Sequence, residues 1–258
     1  MAHPAPRGTG ASVRLGKGGA VKEDGVPMKL EVGGGPDGAP NSLAGRIALM
    51  RERIAEAAHR SGRGPSEIAL VGVTKRQSRE TVASALEAGL TDIGENYVQE
   101  ARAKYAGMRG VRRHFLGHVQ TNKAKAIVET FDVVQTIDRL DAGRAIAKAA
   151  RTLGKPVRAL VQINISPVDR FGIEPGDAPA LAARLREDEG LAVDGVMAIG
   201  PHTRDRAEIA RAFRKAAEAF AAVGGDTLSI GMSTDWEEAV GCGSTMLRIG
   251  TAIFGERL

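Results

Sequence analysis

Lys75 closes an apolar run, Ile68-Ala69-Leu70-Val71-Gly72-Val73-Thr74, in a chain of 258 residues. A primary amine at the mouth of an apolar pocket sheds its proton more readily than one in water, as Schiff-base chemistry with an aldehyde requires. The plainer reading of the same position is a surface lysine opening a loop. Farther along, Gly231-Met232-Ser233 and Arg248-Ile249-Gly250-Thr251 combine glycines, which let backbone N–H groups approach an anion, with hydroxyl donors. With a helix opening at Thr234-Asp235 they read as a phosphate cup, or more simply as tight turns. Arg248 lies two residues before Gly250, so on a strand both face one side. Its guanidinium would donate to a neutral ring nitrogen or a phosphate, or pair with a carboxylate such as Glu95. Asn96 and His118 either fix ligand hydroxyls or cap the helices beside them.

The hydropathy pattern supplies elements to carry these residues. Short apolar runs over 68–75, 92–95, 114–117, 131–137, 157–165, 191–199, 227–232 and 246–249 read as strands, most without the alternation of a half-exposed sheet. Helical periodicity fills the gaps. Ser42 caps a helix through Leu43, Ile47, Met50, Ile54 and Ala58, and Ser78 caps one ending at Gly89. Further helices are expected over 97–105, from Thr121 to Glu129, from Asp138 to Leu153 and over 180–186; Ile209, Phe213, Ala216 and Phe220 mark a last long one, stopped by Gly224-Gly225. Eight strands with intervening helices predict an α/β fold, a single (β/α)8 TIM barrel, with a doubly wound open sheet as the alternative. In a barrel, Lys75, Asn96, His118, Asn164, Gly200, Ser233 and Thr251 all fall at the carboxyl ends of strands, the face that carries ligands.

Composition narrows the function. The lone Cys242 excludes an intramolecular disulfide and, with no signal-peptide pattern, points to the cytoplasm. No apolar run is long enough for a membrane span. A net charge of +5 spread among nearly as many acids, with 3% aromatics, argues against nucleic acid and suits a phosphorylated small ligand. Residues 1–40 hold ten glycines and five prolines without apolar periodicity. They are expected to form a disordered extension ahead of a barrel domain over 41–258, with Met28 as an alternative start. Cys242 reads as a packing residue, Lys123 and Lys125 as a solvated helix face. No zinc-ligand spacing or Ser/His/Asp set is discernible.

Five motifs in order, Val73-Thr74-Lys75, Gly94-Glu95-Asn96-Tyr97-Val98-Gln99-Glu100, His114-Phe115-Leu116-Gly117-His118-Val119-Gln120-Thr121-Asn122-Lys123, Leu228-Ser229-Ile230-Gly231-Met232-Ser233 and Arg248-Ile249-Gly250-Thr251-Ala252-Ile253-Phe254-Gly255, resemble the pyridoxal phosphate homeostasis proteins from Ser42 to Leu258. The resemblance implies a barrel similar to the N-terminal domain of alanine racemase, with pyridoxal 5′-phosphate held as a Schiff base on Lys75. It implies that Ser233, Gly250 and Thr251 hold the phosphate with Met232 at the same turn. Arg248 would face the pyridine nitrogen and Asn96 would lie near the cofactor face. Family members commonly carry a lysine two before the glycine of the strand-five loop, where this chain reads Asp169-Arg170-Phe171-Gly172. Racemases of this fold add a β-domain and a tyrosine base from the partner subunit, for which the chain is expected to have no counterpart. The missing base therefore favours a carrier that buffers the cofactor and hands it to apo-enzymes, expected as a monomer or weak dimer. A slow amino-acid racemase is the alternative, and a nucleic-acid-binding barrel a third.

Overall fold

A computed structural model describes residues 41–168 and 170–255. The extension expected to be disordered, residues 1–40, lies outside the described residues. The first helix, α1 (Leu43–Arg60), opens on Ser42, whose hydroxyl accepts from the Gly45 amide, and buries Ile47, Met50, Ile54, Ala57 and Ala58 along one stripe. Strands and helices then alternate: β1 (Ala69–Val73), α2 (Arg79–Glu87), β2 (Asp92–Glu95), α3 (Val98–Tyr105), β3 (Arg112–Phe115), α4 (Ala124–Thr130), β4 (Val133–Ile137), α5 (Leu140–Leu153), β5 (Arg158–Ile163), α6 (Ala178–Glu187), β6 (Ala192–Ala198), α7 (Arg206–Val223), β7 (Thr227–Ser229), α8 (Trp236–Gly241), β8 (Met246–Ile249) and α9 (Thr251–Phe254).

All eight strands pair in parallel, and β1 meets β8 with Leu70 opposite Leu247 and Gly72 opposite Ile249. That closure sets aside the open sheet. Helices cover the outside and side chains fill the inside, so β4 and β8 are buried at every position. This is why the strands read as apolar runs. In the outer layer α7 packs Ile209, Phe213 and Ala216 inward. Its cap, Asp205, accepts from the amides of Ala207 and Glu208, a contact worth about 1 kcal/mol.

Several ends differ from expectation. β1 stops at Val73, because the Thr74 carbonyl turns to accept the Gln77 amide at 2.9 Å; Lys75 therefore sits in a turn and not on the strand. β3 runs over 112–115, two residues earlier than expected. β7 ends at Ser229 and not Met232, since Gly231 takes φ 97°, where a Cβ would lie 2.6 Å from that of Ala239. Thr121 opens a single 3₁₀ turn before α4, and α8 starts at Trp236 after Asp235. Among the described residues no helix is long and apolar enough to cross a membrane.

Candidate functional site

Lys75, Asn96, Met232, Ser233, Arg248, Gly250 and Thr251 line one cavity of about 320 Å³ at the strand ends. Val73, Leu116, Met197 and Ile199 give it apolar walls, and Gln77, Thr234 and Gly255 complete the rim. An amine, a guanidinium, and a side of hydroxyls and glycine thus surround a slot of the size that takes one small ligand.

Lys75 is held from behind by α3. The Thr74 carbonyl accepts from the Lys104 ammonium at 2.7 Å as well as from Gln77, and the Thr74 hydroxyl meets the Tyr105 hydroxyl at 2.6 Å. Burial raises the Tyr105 pKa, so this phenol stays neutral. Lys104 is itself fixed by Glu95 at 2.7 Å, a buried pair. Arg76 takes φ 62°, a left-handed conformation usually left to glycine or asparagine, at a cost of about 1 kcal/mol. The Lys75 ammonium stands 5.5 Å from the centroid of the half-exposed Tyr97 ring.

Arg248 lies at the base of the cavity. One terminal nitrogen donates to the Ser229 carbonyl at 2.6 Å and the Ser229 hydroxyl at 2.7 Å; the other donates to the Ala198 carbonyl at 2.8 Å. The pairing with Glu95 weighed from sequence is not formed, because Glu95 is taken by Lys104 and by the Asn96 amide at 2.8 Å. Burial pushes the guanidinium down to about 10 against the opposing charge of Asp235, so it remains a cation at neutral pH.

On the opposite side, the Ser233 hydroxyl accepts the Ala252 amide at 3.4 Å, a bond long enough for a ligand oxygen to displace. A Cβ on Gly250 would meet Val73 at 3.6 Å, ordinary contact. Among the described residues no contact demands glycine there, and its lack of a side chain leaves the cavity wall open. Beneath, Asp235 accepts the Met232 amide at 2.5 Å; burial raises its pKa, while that bond and Arg248 lower it.

Asn96 is not a side-chain cap: α3 starts after Tyr97 with no capping side chain. His118 stacks on the exposed Phe171 ring at 4.2 Å and belongs to a neighbouring cavity that shares Asn96, Leu116 and Ile199 with the first. Gly117 ties the two together, since a Cβ there would fall 2.0 Å from the Asn96 carbonyl oxygen. Gly117→Ala is accordingly expected to displace Asn96 and to destabilise the barrel by about 1–3 kcal/mol, read from urea unfolding. Arg170 donates to the Gly200 carbonyl at 3.3 Å. Cys242 is half-buried with its thiol pKa raised by burial, and Lys123 and Lys125 are exposed. Among the described residues no cluster of three or more His, Cys, Asp or Glu is placed to hold a metal.

Sequence reasoning missed two sets of residues. One is the Glu95–Lys104 support behind Lys75. The other is a polar line inside the barrel, Asp92, His114, Gln135 and Ser229, all buried. Polar side chains in otherwise apolar strands were its only signal. Burial pushes the His114 pKa below 6.5, against the hydrogen bond and charge of Asp92. Burial raises Asp92, but bonds from His114 and Thr91 and the charges of His114 and Arg112 outweigh it and bring it below 3.8. Unfolded His114 takes a proton below pH 6.5 that the folded state refuses. Its stabilisation is therefore complete above pH 6.5 and lost as pH falls toward the folded pKa, at up to about 1.4 kcal/mol per pH unit. The Asp92 contribution is lost in the same sense below 3.8. Urea unfolding at pH 7.5 and 5.5 should show the first loss, and His114→Gln should remove it.

The closed barrel and its strand-end cavity define a (β/α)8 barrel of the alanine racemase kind, and residues 48–258 match the family described as alanine racemase, N-terminal domain. Within that class, the chain belongs to the pyridoxal phosphate homeostasis protein family. It is 40% identical over 228 residues to the pyridoxal phosphate homeostasis protein of Escherichia coli K12, spanning 84% of this chain and 97% of that one. The Pseudomonas aeruginosa protein of the same name is 39% identical over 222 residues, covering 84% and 96%. Among solved structures, PipY of Synechococcus elongatus with PLP bound superposes with a TM-score of 0.73 at 29% identity, covering 83% of this chain and all of that one, 100%. An alanine racemase of Clostridium difficile, 14% identical with a TM-score of 0.64, covers 80% of this chain and 56% of its own; that likeness is one of fold alone.

Proposed function

We propose that this protein binds pyridoxal 5′-phosphate in the strand-end cavity and buffers it in the cytoplasm for delivery to apo-enzymes. The observation that carries the reading is the convergence of Lys75, Arg248 and the Ser233–Gly250–Thr251 side on one apolar-walled slot, in a chain 40% identical to a pyridoxal phosphate homeostasis protein. Lys75 would hold the cofactor aldehyde. Ser233, Gly250 and Thr251 would hold the phosphate, with the Met232 turn beside them. Asn96 would contribute from the cavity wall. When bound, the cofactor supplies an aldehyde that holds amines and a ring that draws electrons from a substrate carbon.

Arg248 weighs against strong use of that ring. A guanidinium only donates, and with its pKa at about 10 it is charged at pH 7, so a ring nitrogen facing it must be unprotonated. An unprotonated ring pulls electrons weakly, which favours holding over turnover. Absorption of the purified protein with added pyridoxal phosphate, then borohydride reduction and peptide mapping, tests the binding: label on Lys75 is expected, and label scattered over surface lysines would defeat it. A racemisation assay with several amino acids tests the carrier role. Lys75-dependent turnover there would establish the racemase instead.

A further inference from the structure

The buried polar line through the barrel is continuous from Arg248 to Asp92. The Arg248 terminal nitrogen donates to the Ser229 hydroxyl at 2.7 Å, and that hydroxyl donates to the Gln135 amide oxygen at 2.7 Å. The Gln135 amide nitrogen lies 2.8 Å from Nδ1 of His114, whose Nε2 lies 2.9 Å from an Asp92 oxygen. Each donor is determined by the one before it. A guanidinium has no acceptor, so the Ser229 oxygen must accept and its single proton must go on to Gln135. The other contact of Gln135 sets its orientation independently: the same nitrogen is 3.1 Å from the Met246 sulfur, which carries no proton and suits an N–H donor but not a carbonyl oxygen. Nδ1 of His114 then accepts, and its one ring proton is on Nε2, facing Asp92.

We infer that Gln135 and His114 are positioning residues for Arg248, fixing the guanidinium from beneath the cavity through a one-directional chain that ends on the Asp92 carboxylate. Without Gln135 to take its proton, the Ser229 hydroxyl is free to turn that proton toward Arg248, which weakens one of the three acceptors while the Ser229 and Ala198 carbonyls remain. All five side chains are buried, so no water is at hand to substitute freely. The consequence for the cofactor rests on the proposed placement of Arg248 against the ring nitrogen; the chain itself does not.

Nitrogen-15 NMR of the full-length protein without cofactor tests the chain. In the parent, His114 is expected to be neutral with its proton on Nε2, and the terminal nitrogens of Arg248 to give separate resonances through slow rotation. Gln135→Met, of similar size, should speed the exchange between those resonances, the two carbonyl acceptors remaining. Gln135→Glu, which replaces the amide donor by an acceptor, should put a second proton on His114 near neutral pH, an effect that loss of packing alone would not produce. An Nδ1–H tautomer in the parent, or unchanged Arg248 resonances in a folded Gln135→Met protein, would overturn the inference; if that variant does not fold, the parent tautomer decides. With pyridoxal phosphate added, Gln135→Met should bind about tenfold more weakly, the scale expected when a charged donor loses its direction. Faster exchange of the Arg248 resonances with unchanged cofactor binding would support the chain and overturn the placement of the ring against Arg248.

Discussion

Lys75→Ala is expected to abolish the visible absorption band and the borohydride-trapped adduct of pyridoxal phosphate, while binding persists about 100–1,000-fold more weakly. The size follows from what the substitution leaves. A covalent bond to a positioned amine gains from the high effective concentration of a group already held in place, which the variant forfeits. The remaining contacts would be those of the phosphate side and Arg248, drawn from β7, β8 and the turns after them, none of which uses the Lys75 side chain. Each tenfold in affinity is about 1.4 kcal/mol, so a loss of this size is about 3–4 kcal/mol. Lys75→Arg is the companion variant, keeping charge and bulk without forming the bond. It should behave as Lys75→Ala does in the trapping assay. Equal cofactor affinity in parent and variants, measured by fluorescence titration, would remove the covalent part of the reading.

The barrel was legible because its strands are sandwiched between two apolar layers, which leaves continuous hydrophobic runs that local sequence records directly. β2 and β8 fall where the pattern puts them, over 92–95 and 246–249. The carboxyl ends of β1 and β7 were drawn two and three residues too long for a common reason. Where a strand delivers a cavity-lining residue, the backbone leaves the sheet early, at Thr74 through its turn to Gln77 and at Gly231 through its positive φ. Apolar character continues past both points, so hydropathy cannot mark them. The four-residue α9 is too short to show a period. Placement in the cavity was legible because polar and glycine residues at strand ends stand out against the runs that precede them. The supports behind them were not: Gln135 finds His114 and Ser229 21 and 94 residues away, and Lys104, though only 9 residues from Glu95, does its aiming on Thr74, 30 residues away. Such pairings come from closure of the barrel, which no local window contains.

The Lys104 support leads to the second large effect. Lys104→Met is expected to destabilise the protein by about 3–5 kcal/mol, because it leaves Glu95 charged, fully buried and without its counter-ion. For a domain of this size that is a fall in melting temperature of about 10 °C. The neutral donors left to Glu95, the Asn96 amide at 2.8 Å and the Thr74 hydroxyl at 3.4 Å, cannot replace an ammonium at 2.7 Å. Adding Glu95→Gln should recover most of the loss, since the buried charge then disappears together with its partner. The cofactor site should not recover with it. The Thr74 carbonyl, one residue before Lys75, still lacks the Lys104 donor in the double variant and keeps only Gln77. Restored stability with slowed trapping at Lys75 would separate the two tasks of Lys104, neutralising Glu95 and aiming the turn. If the single variant unfolds within about 0.5 kcal/mol of the parent, the buried pair does not carry this load, and the conformation of the turn rests on Tyr105 and Gln77 instead.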